Sequence, residues 1–220
     1  ALSQSGTLLW EPYLKALVQW TDGHMTPREQ RLFETLCRSI QVQGGEVDAI
    51  EPPDILEPLL QALEDHRTIR LTYTPVRTEA SRTYTVVPYR LTHDLFSGGT
   101  FLLVWDLERR IPRHFRLNRI ETIEPLGRRD PYPDLTMDQA ARYQIGGWAS
   151  GDPPFEVSVR IRGAHWLQAF KEAPPTLPDF ETLPGGTSDT LCIRFKANHL
   201  NGVTRWLLQF GPDAEVLSPE

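Results

Sequence analysis

The side chains of this sequence best suited to chemistry are arginines. Residues 67–129 hold twelve of them and no lysine, and the segment closes on the run Arg113-His-Phe-Arg-Leu-Asn-Arg119-Ile120. A guanidinium is planar and permanently charged. Its paired donors match two oxygens of a phosphate or carboxylate, a geometry that lysine does not offer. Tyr73, Tyr84, Phe101 and Phe115 lie between these arginines in sequence. Cations along a backbone and flat rings beneath bases are what a single-stranded nucleic acid requires, stacking being worth roughly 1–3 kcal/mol per base. The plainer alternatives are scattered surface charge for Arg113, Arg116 and Arg119, and barrel core for Phe101 and Phe115. His93 and His114 could contact a phosphate or titrate near neutral pH, although a lone histidine beside a strand is more often a surface or hydrogen-bonded residue.

The surroundings sharpen the contrast. Residues 1–66 carry four Lys/Arg against eleven Asp/Glu, residues 67–129 twelve against six, and residues 130–220 seven against twelve; the balances of −7, +6 and −5 sum to the net charge of −6. An acidic protein of pI near 5.6 does not coat nucleic acid nonspecifically, so any such contact must be local to the basic island. No metal or cofactor is expected. The sequence has no HExxH, CxxC or carboxylate-rich loop, and its paired glycines at 44–45, 98–99, 146–147 and 185–186 sit in neither GxGxxG nor GxxxxGK[ST]. No GxSxG elbow occurs, and the expectation is a protein that is not an enzyme. Cys37 and Cys192 are far apart in apolar-patterned segments and read as buried free thiols. With no apolar run near the roughly 20 residues that cross a bilayer and no secretory leader, the cytoplasm is the expected location.

At 220 residues the chain should form two or three units. Leu8, Leu9, Tyr13, Leu17 and Trp20 fall near helical spacing. Thr26-Pro27-Arg28-Glu29 is a capping box, predicting a helix that buries Leu32, Phe33, Leu36, Cys37 and Ile40 and stops before Gly44-Gly45. A third helix is expected from Asp54 to about Asp65, with Leu56, Leu59, Leu60 and Leu63 inward. From Ile69 the apolar period becomes two, predicting strands at Ile69–Tyr73, Tyr84–Val87 and Phe101–Trp105. A last strand is expected to carry Arg113, Phe115, Leu117 and Arg119 on one face and His114, Arg116 and Asn118 on the other. About five short strands in so few residues suggest a small barrel. A proline-rich acidic linker with a short helix at Met137–Tyr143 leads to a second module. Its elements are predicted as strand Phe155–Arg162, helix Ala164–Phe170, strands Phe180–Leu183 and Leu191–Ala197, helix Asn198–Phe210 and strand Ala214–Leu217. That order is the ferredoxin-like β-α-β-β-α-β arrangement. The helix Asn198–Phe210 should bury Leu200, Val203, Leu207 and Phe210, with Trp166, Trp206 and Phe170 in core or interface. Arg160, Arg162, Arg194 and Lys196 would share one sheet surface if their strands are neighbours.

Tyr73, Val87-Pro88-Tyr89-Arg90-Leu91, Thr100-Phe101-Leu102-Leu103-Val104-Trp105-Asp106 and Arg113-x-Phe115-x-Leu117-x-Arg119-Ile120 together resemble the WYL domain. The family's Trp-Tyr-Leu falls on Thr100-Phe101-Leu102, so the first residue is lost, the second changed conservatively and the third kept. The portion after residue 154 resembles the extension that follows WYL domains, and residues 1–66 the connector that precedes them.

The resemblance implies a bacterial transcription regulator: a dimer in which an Sm-like barrel senses single-stranded DNA or another nucleotide species, with Tyr73, Arg82, His93, Phe101, Arg113, Phe115, Arg116 and Arg119 as ligand-binding residues. No helix-turn-helix with a basic recognition helix precedes residue 54, and the first 66 residues are too acidic to read DNA, so duplex DNA would be reached only through a domain absent from this sequence. The expected architecture is α+β: a helical connector over 1–66, a small Sm-like or SH3-like β-barrel over 67–127, a linker over 128–154 and a ferredoxin-like module over 155–220. The expected function is ligand sensing that alters dimer geometry. The alternative is a module whose basic barrel docks an acidic protein partner. A third reading, an enzyme acting on a phosphorylated small molecule, rests only on anion-binding chemistry.

Overall fold

The computed structural model describes residues 25–30, 53–76, 80–94 and 98–219. The helix expected at Leu8–Trp20, most of the helix expected to end at Gly44-Gly45, Cys37, and parts of the turns at 77–81 and 97–99 lie outside them. Residues 27–30 are helical, and the capping box is formed. Thr26 N donates to Glu29 Oε2 at 2.7 Å while Glu29 N donates to Thr26 Oγ1 at 3.4 Å. The hydrogen bonds from Thr26, side chain first and backbone second, hold the Glu29 carboxyl below its usual range.

The protein is α+β, built on two antiparallel sheets. Helix α1 (Pro53–Glu64) leads into five strands, β1 (Ile69–Tyr73), β2 (Arg82–Asp94), β3 (Gly99–Asp106), β4 (Ile111–Arg116) and β5 (Ile120–Pro125), joined in the order β4-β3-β2-β1-β5. On α1 the buried stripe is Ile55, Leu59 and Ala62, at helical spacing, and it packs against β2 and β5. Leu56, Leu60 and Leu63 are only half-buried. The expected inward face is therefore turned, because apolar residues occupy more than one side of this helix. Register is set by a shared apolar face: Ile69 pairs with Val86 and Pro125, Leu71 with Tyr84 and Ile123, and Ile69, Leu71 and Val86 are fully buried.

Two expectations about this sheet are corrected. The single strand predicted through Arg119 stops at Arg116. Leu117–Arg119 is a 3-10 turn whose Leu117 is buried and whose carbonyl receives Ile120 N–H. Alternation had placed Arg119 beside Arg113 and Phe115, but the turn takes it off that face. The expected closed barrel is also not formed, since β4 and β5 end the strand order without pairing to each other. Even so, a connection of three residues between the two terminal strands obliges the sheet to curl.

The remaining elements are α2 (Asp134–Arg142), β6 (Phe155–Arg162), α3 (Ala164–Glu172), β7 (Glu181–Leu183), β8 (Thr190–Ala197), α4 (Leu200–Leu207), a 3-10 segment Leu208–Asp213 and β9 (Ala214–Ser218). Strands β6–β9 form a four-stranded antiparallel sheet in the order β7-β8-β6-β9. Val157, Val159 and Ile161 on β6 pair with Phe195, Ile193 and Leu191 on β8, giving one apolar face. Val203, Trp206 and Phe210 complete the core there, with Trp166 and Phe170 packed against it. Leu200, expected inward, is 59 % exposed and Trp206 is buried instead. Chain reversal into α4 at His199, whose Nδ1 caps Asn201 N–H, sets the helix phase so that Gly202, Val203 and Trp206 face inward. Gly202 is required there. A Cβ would lie 2.8 Å from the Ile145 carbonyl oxygen and 3.3 Å from Trp148 Cβ. Asn198, 4 % exposed, ties the chain together by donating from Nδ2 to the carbonyls of Ala140 and Ser150. Cys192 is a buried free thiol.

By density of internal contacts the chain divides into two compact units, Ala1–Leu102 with Phe115–Arg129 and Leu103–His114 with Asp130–Glu220.

Candidate functional site

The arginine island resolves into separate environments. At one, β1 and β2 pair Tyr73 directly with Arg82 and Leu71 with Tyr84, which places Tyr73, Arg82 and Tyr84 on one sheet face. Phe115 lies between the two tyrosines, its ring centroid 4.9 Å from each, edge-on to Tyr73 and tilted to Tyr84. Phe115 is 2 % exposed, so its role as a stacking surface for a base is corrected: the ring is core, and it holds in place the half-buried rings of Tyr73 and Tyr84. Arg82 is exposed and, among the described residues, has no carboxylate partner.

At a second environment Arg116 lies over Phe101, its guanidinium carbon 5.9 Å from the ring centroid. Gly99 leaves room for this contact. A Cβ there would sit 3.1 Å from Phe101 Cε2 and 3.2 Å from Arg116 Nε, so the guanidinium is cradled between a ring and bare backbone. His93 Nδ1 lies 3.0 Å from Oγ1 of the buried Thr100.

Arg113 is committed to structure. Its Nη1 is 3.1 Å from Asp106 Oδ2, and the other oxygen of this 2 % exposed carboxylate accepts from Glu108 N and Arg109 N at 3.0 Å each. One carboxylate thus closes the β3–β4 turn and holds β4. The turn presents Arg109 and Arg110 to solvent without ion pairs among the described residues. His114, on the opposite side of β4 from Arg113, is driven down to about 4 chiefly by burial, with the positive field of His199 acting in the same direction. It is neutral at physiological pH and adds no charge to the island.

Arg119 precedes Ile120, the partner of Tyr73 across β1 and β5. It lines a groove of about 420 Å³ with Thr74, Pro75, Val76, Asn118, Ile120 and Glu121. Thr74 N donates to the Arg119 carbonyl at 3.1 Å, while the Thr74 and Ser81 hydroxyls both donate to Glu121 Oε1, the latter at 2.7 Å. Those two bonds, Thr74's the stronger, hold the Glu121 carboxyl below its usual range.

Of the eight expected residues, Tyr73 and Arg82 share a sheet face with Phe115 packed against Tyr73, and Phe101 and Arg116 form another cluster, while His93 and Arg113 bond Thr100 and Asp106 and Arg119 lines a groove. Sequence reasoning passed over Gly99, Asp106 and Glu121. Asp106 carried a legible signal, an aspartate ending a strand at the start of a turn. No group of three or more His, Cys, Asp and Glu placed to hold a metal ion exists among the described residues, and none of their helices is long and apolar enough to cross a membrane.

The family model of the WYL domain matches residues 54–125, and that of the WCX domain matches residues 153–220. No curated protein matches the chain significantly. Among solved structures it is similar to proteasome accessory factor B/C (PafBC) of Arthrobacter aurescens, at 18 % identity and a TM-score of 0.33 over 79 % of this chain and 26 % of that one. It is also similar to a CRISPR Cas-related protein, at 12 % identity and a TM-score of 0.48 over 75 % of this chain and 47 % of the other. The chain therefore spans about a quarter and about half of the length of these two proteins.

Proposed function

Because the chain is a WYL-domain protein in which a WCX domain follows the WYL domain, we propose that it is the ligand-sensing part of a transcriptional regulator, binding a single-stranded nucleic acid or nucleotide-like anion on its arginine-rich face. One observation carries this reading: Arg82, Arg90, Arg109, Arg110 and Arg119 have no carboxylate partner among the described residues. Arg82, on the same sheet face as the half-buried rings of Tyr73 and Tyr84, offers a phosphate contact beside stacking planes.

In this reading the curled five-stranded sheet, Sm-like in character and spanning 67–127, is the sensor. Residues 128–154 are the linker and the ferredoxin-like module over 155–220 transmits the change. Two copies assemble, the ligand favours one arrangement of the dimer, and operator affinity changes by at most the difference in ligand binding free energy between the two arrangements. The module performs no catalysis.

The test is fluorescence anisotropy with short labelled single strands at two salt concentrations, comparing the chain with Arg82→Ala/Arg119→Ala. Binding should weaken with salt, and the double variant should bind about tenfold or more weakly with a log–log salt slope shallower by about 1.4, two lost phosphate contacts at ~0.7 each. Binding unchanged in the double variant, or absent at tens of micromolar, would sink the proposal.

A further inference from the structure

The groove beside Arg119 contains a carboxylate, an unexpected group on a face meant for an anion. Glu121 sits two residues from Arg119 and lines the same groove, yet the two form no ion pair. Glu121 Oε1 is occupied by the Thr74 and Ser81 hydroxyls. Oε2 has no donor among the described residues. Asn118, exposed at the turn, and Arg119 line the same groove, and both side chains carry donors. The groove thus holds a donor suited to phosphate and, separately, an ionised acceptor that the fold leaves half used.

Phosphate oxygens cannot satisfy a carboxylate, since both are acceptors and both negative. Apart from its ends, the deoxyribose backbone has no hydroxyl to donate, whereas ribose carries a 2′-OH at every residue. Base amino groups can also donate to a carboxylate, but one that faces the sugar–phosphate backbone repels DNA there and can be compensated by the 2′-OH of RNA. The volume of about 420 Å³ lies in the range of sites for small ligands and suits a single nucleotide unit.

We propose that the groove formed by Arg119 and Glu121 selects ribose over deoxyribose, Glu121 Oε2 accepting the 2′-OH of a strand whose phosphate is held by Arg119. This deepens the nucleic-acid reading above and rests on it. The preferred ligand is accordingly single-stranded RNA or a ribonucleotide-containing strand.

Labelled oligonucleotides of one sequence in ribo, deoxyribo and 2′-O-methyl form separate the two ideas by anisotropy. The ribo strand should bind about five-fold or more tightly than the deoxyribo strand, as one charge-assisted hydrogen bond predicts for an exposed site. The 2′-O-methyl strand, which keeps the oxygen but lacks the donor, should behave as deoxyribo. Glu121→Ala should collapse the preference, weakening RNA and strengthening DNA, while Arg119→Ala weakens both sugars alike. Glu121→Gln removes the charge while keeping shape and acceptor, and should reduce the preference only in part, which guards against a folding defect in the alanine variant. Equal binding of ribo and deoxyribo strands, or a preference that survives Glu121→Ala, overturns the ribose proposal and leaves the nucleic-acid reading standing. Binding of no strand overturns both.

Discussion

The five-stranded and four-stranded sheets both carry arginine on an open surface, and they dispose of its charge differently. On the four-stranded sheet Arg160 and Arg162 share Glu215 at 3.0 and 2.7 Å, Arg194 meets Glu181 and, at 3.4 Å, Glu156, and Lys196 reaches Asp179 at 3.3 Å. Each of the four cations meets a carboxylate, Asp179 also pairing with Arg142 at 2.8 Å, and the second basic surface proves to be a lattice of ion pairs. On the five-stranded sheet Arg70 has Glu124 and Arg113 has Asp106, but five arginines have no acidic partner among the described residues. Guanidinium groups left without a carboxylate keep their capacity to bind an anion, and the binding proposal rests on this difference between the sheets.

The largest departure from that division lies inside the basic sheet, at Asp106. This buried carboxylate organises the β3–β4 turn and anchors Arg113, so Arg113 belongs with the scaffold despite its place in the island. Asp106→Ala removes three charge-assisted bonds, one of them from the Arg113 guanidinium, whose side chain is 26 % exposed. It should cost about 3 kcal/mol in urea denaturation. A loss below about 1 kcal/mol would move Arg113 back among the ligand residues.

His114 gives the next largest effect and sharpens the same boundary. Its folded-state value near 4 lies below the ordinary 6.5, chiefly through burial. The unfolded chain therefore binds the proton more readily. The stabilising contribution is complete above about pH 6.5 and is lost as pH falls toward 4, a drop of roughly 3 kcal/mol if the full difference is realised. Melting temperatures at pH 7.5 and 4.5 should differ by more in the parent chain than in His114→Gln, whose profile should be flatter. Equal profiles would mean that His114 takes up its proton in the folded chain and adds to the island's charge.

What could be read from sequence follows the same physics. Phe155–Arg162 was legible to the residue because its alternation continues unbroken from one face to the other. The strand through Arg119 was misread because Leu117 and Ile120 are apolar at positions that fit either a continuing strand or a turn, and only tertiary burial of Leu117 decides between them. Charge pairing was invisible for a different reason. Glu215 lies 53 residues from Arg162, and only the β6–β9 register brings them together. Composition could locate the surplus of arginine. Which arginines are already used depends on contacts across strands, and so does the cradle of Arg116, which needs both Phe101 and the missing side chain at Gly99.

The smallest effect is predicted on the paired sheet, and it tests the comparison most directly. Glu215 is held ionised by hydrogen bonds from Arg160 first and Arg162 second, but the three groups are solvent-exposed and their mutual attraction is screened. Arg160→Ala/Arg162→Ala should therefore shift Tm by no more than about 2 °C, and less at high salt, with single-strand affinity within about twofold of the parent. The two deletions remove as much positive charge as Arg82→Ala/Arg119→Ala, so net charge is matched between the pairs of variants. If both double variants lost binding equally, the ligand would be responding to the overall field of the protein, and pairing on one sheet and surplus on the other would not matter. If only the Arg82/Arg119 variant loses binding, affinity resides in guanidinium groups that the fold has left without a carboxylate.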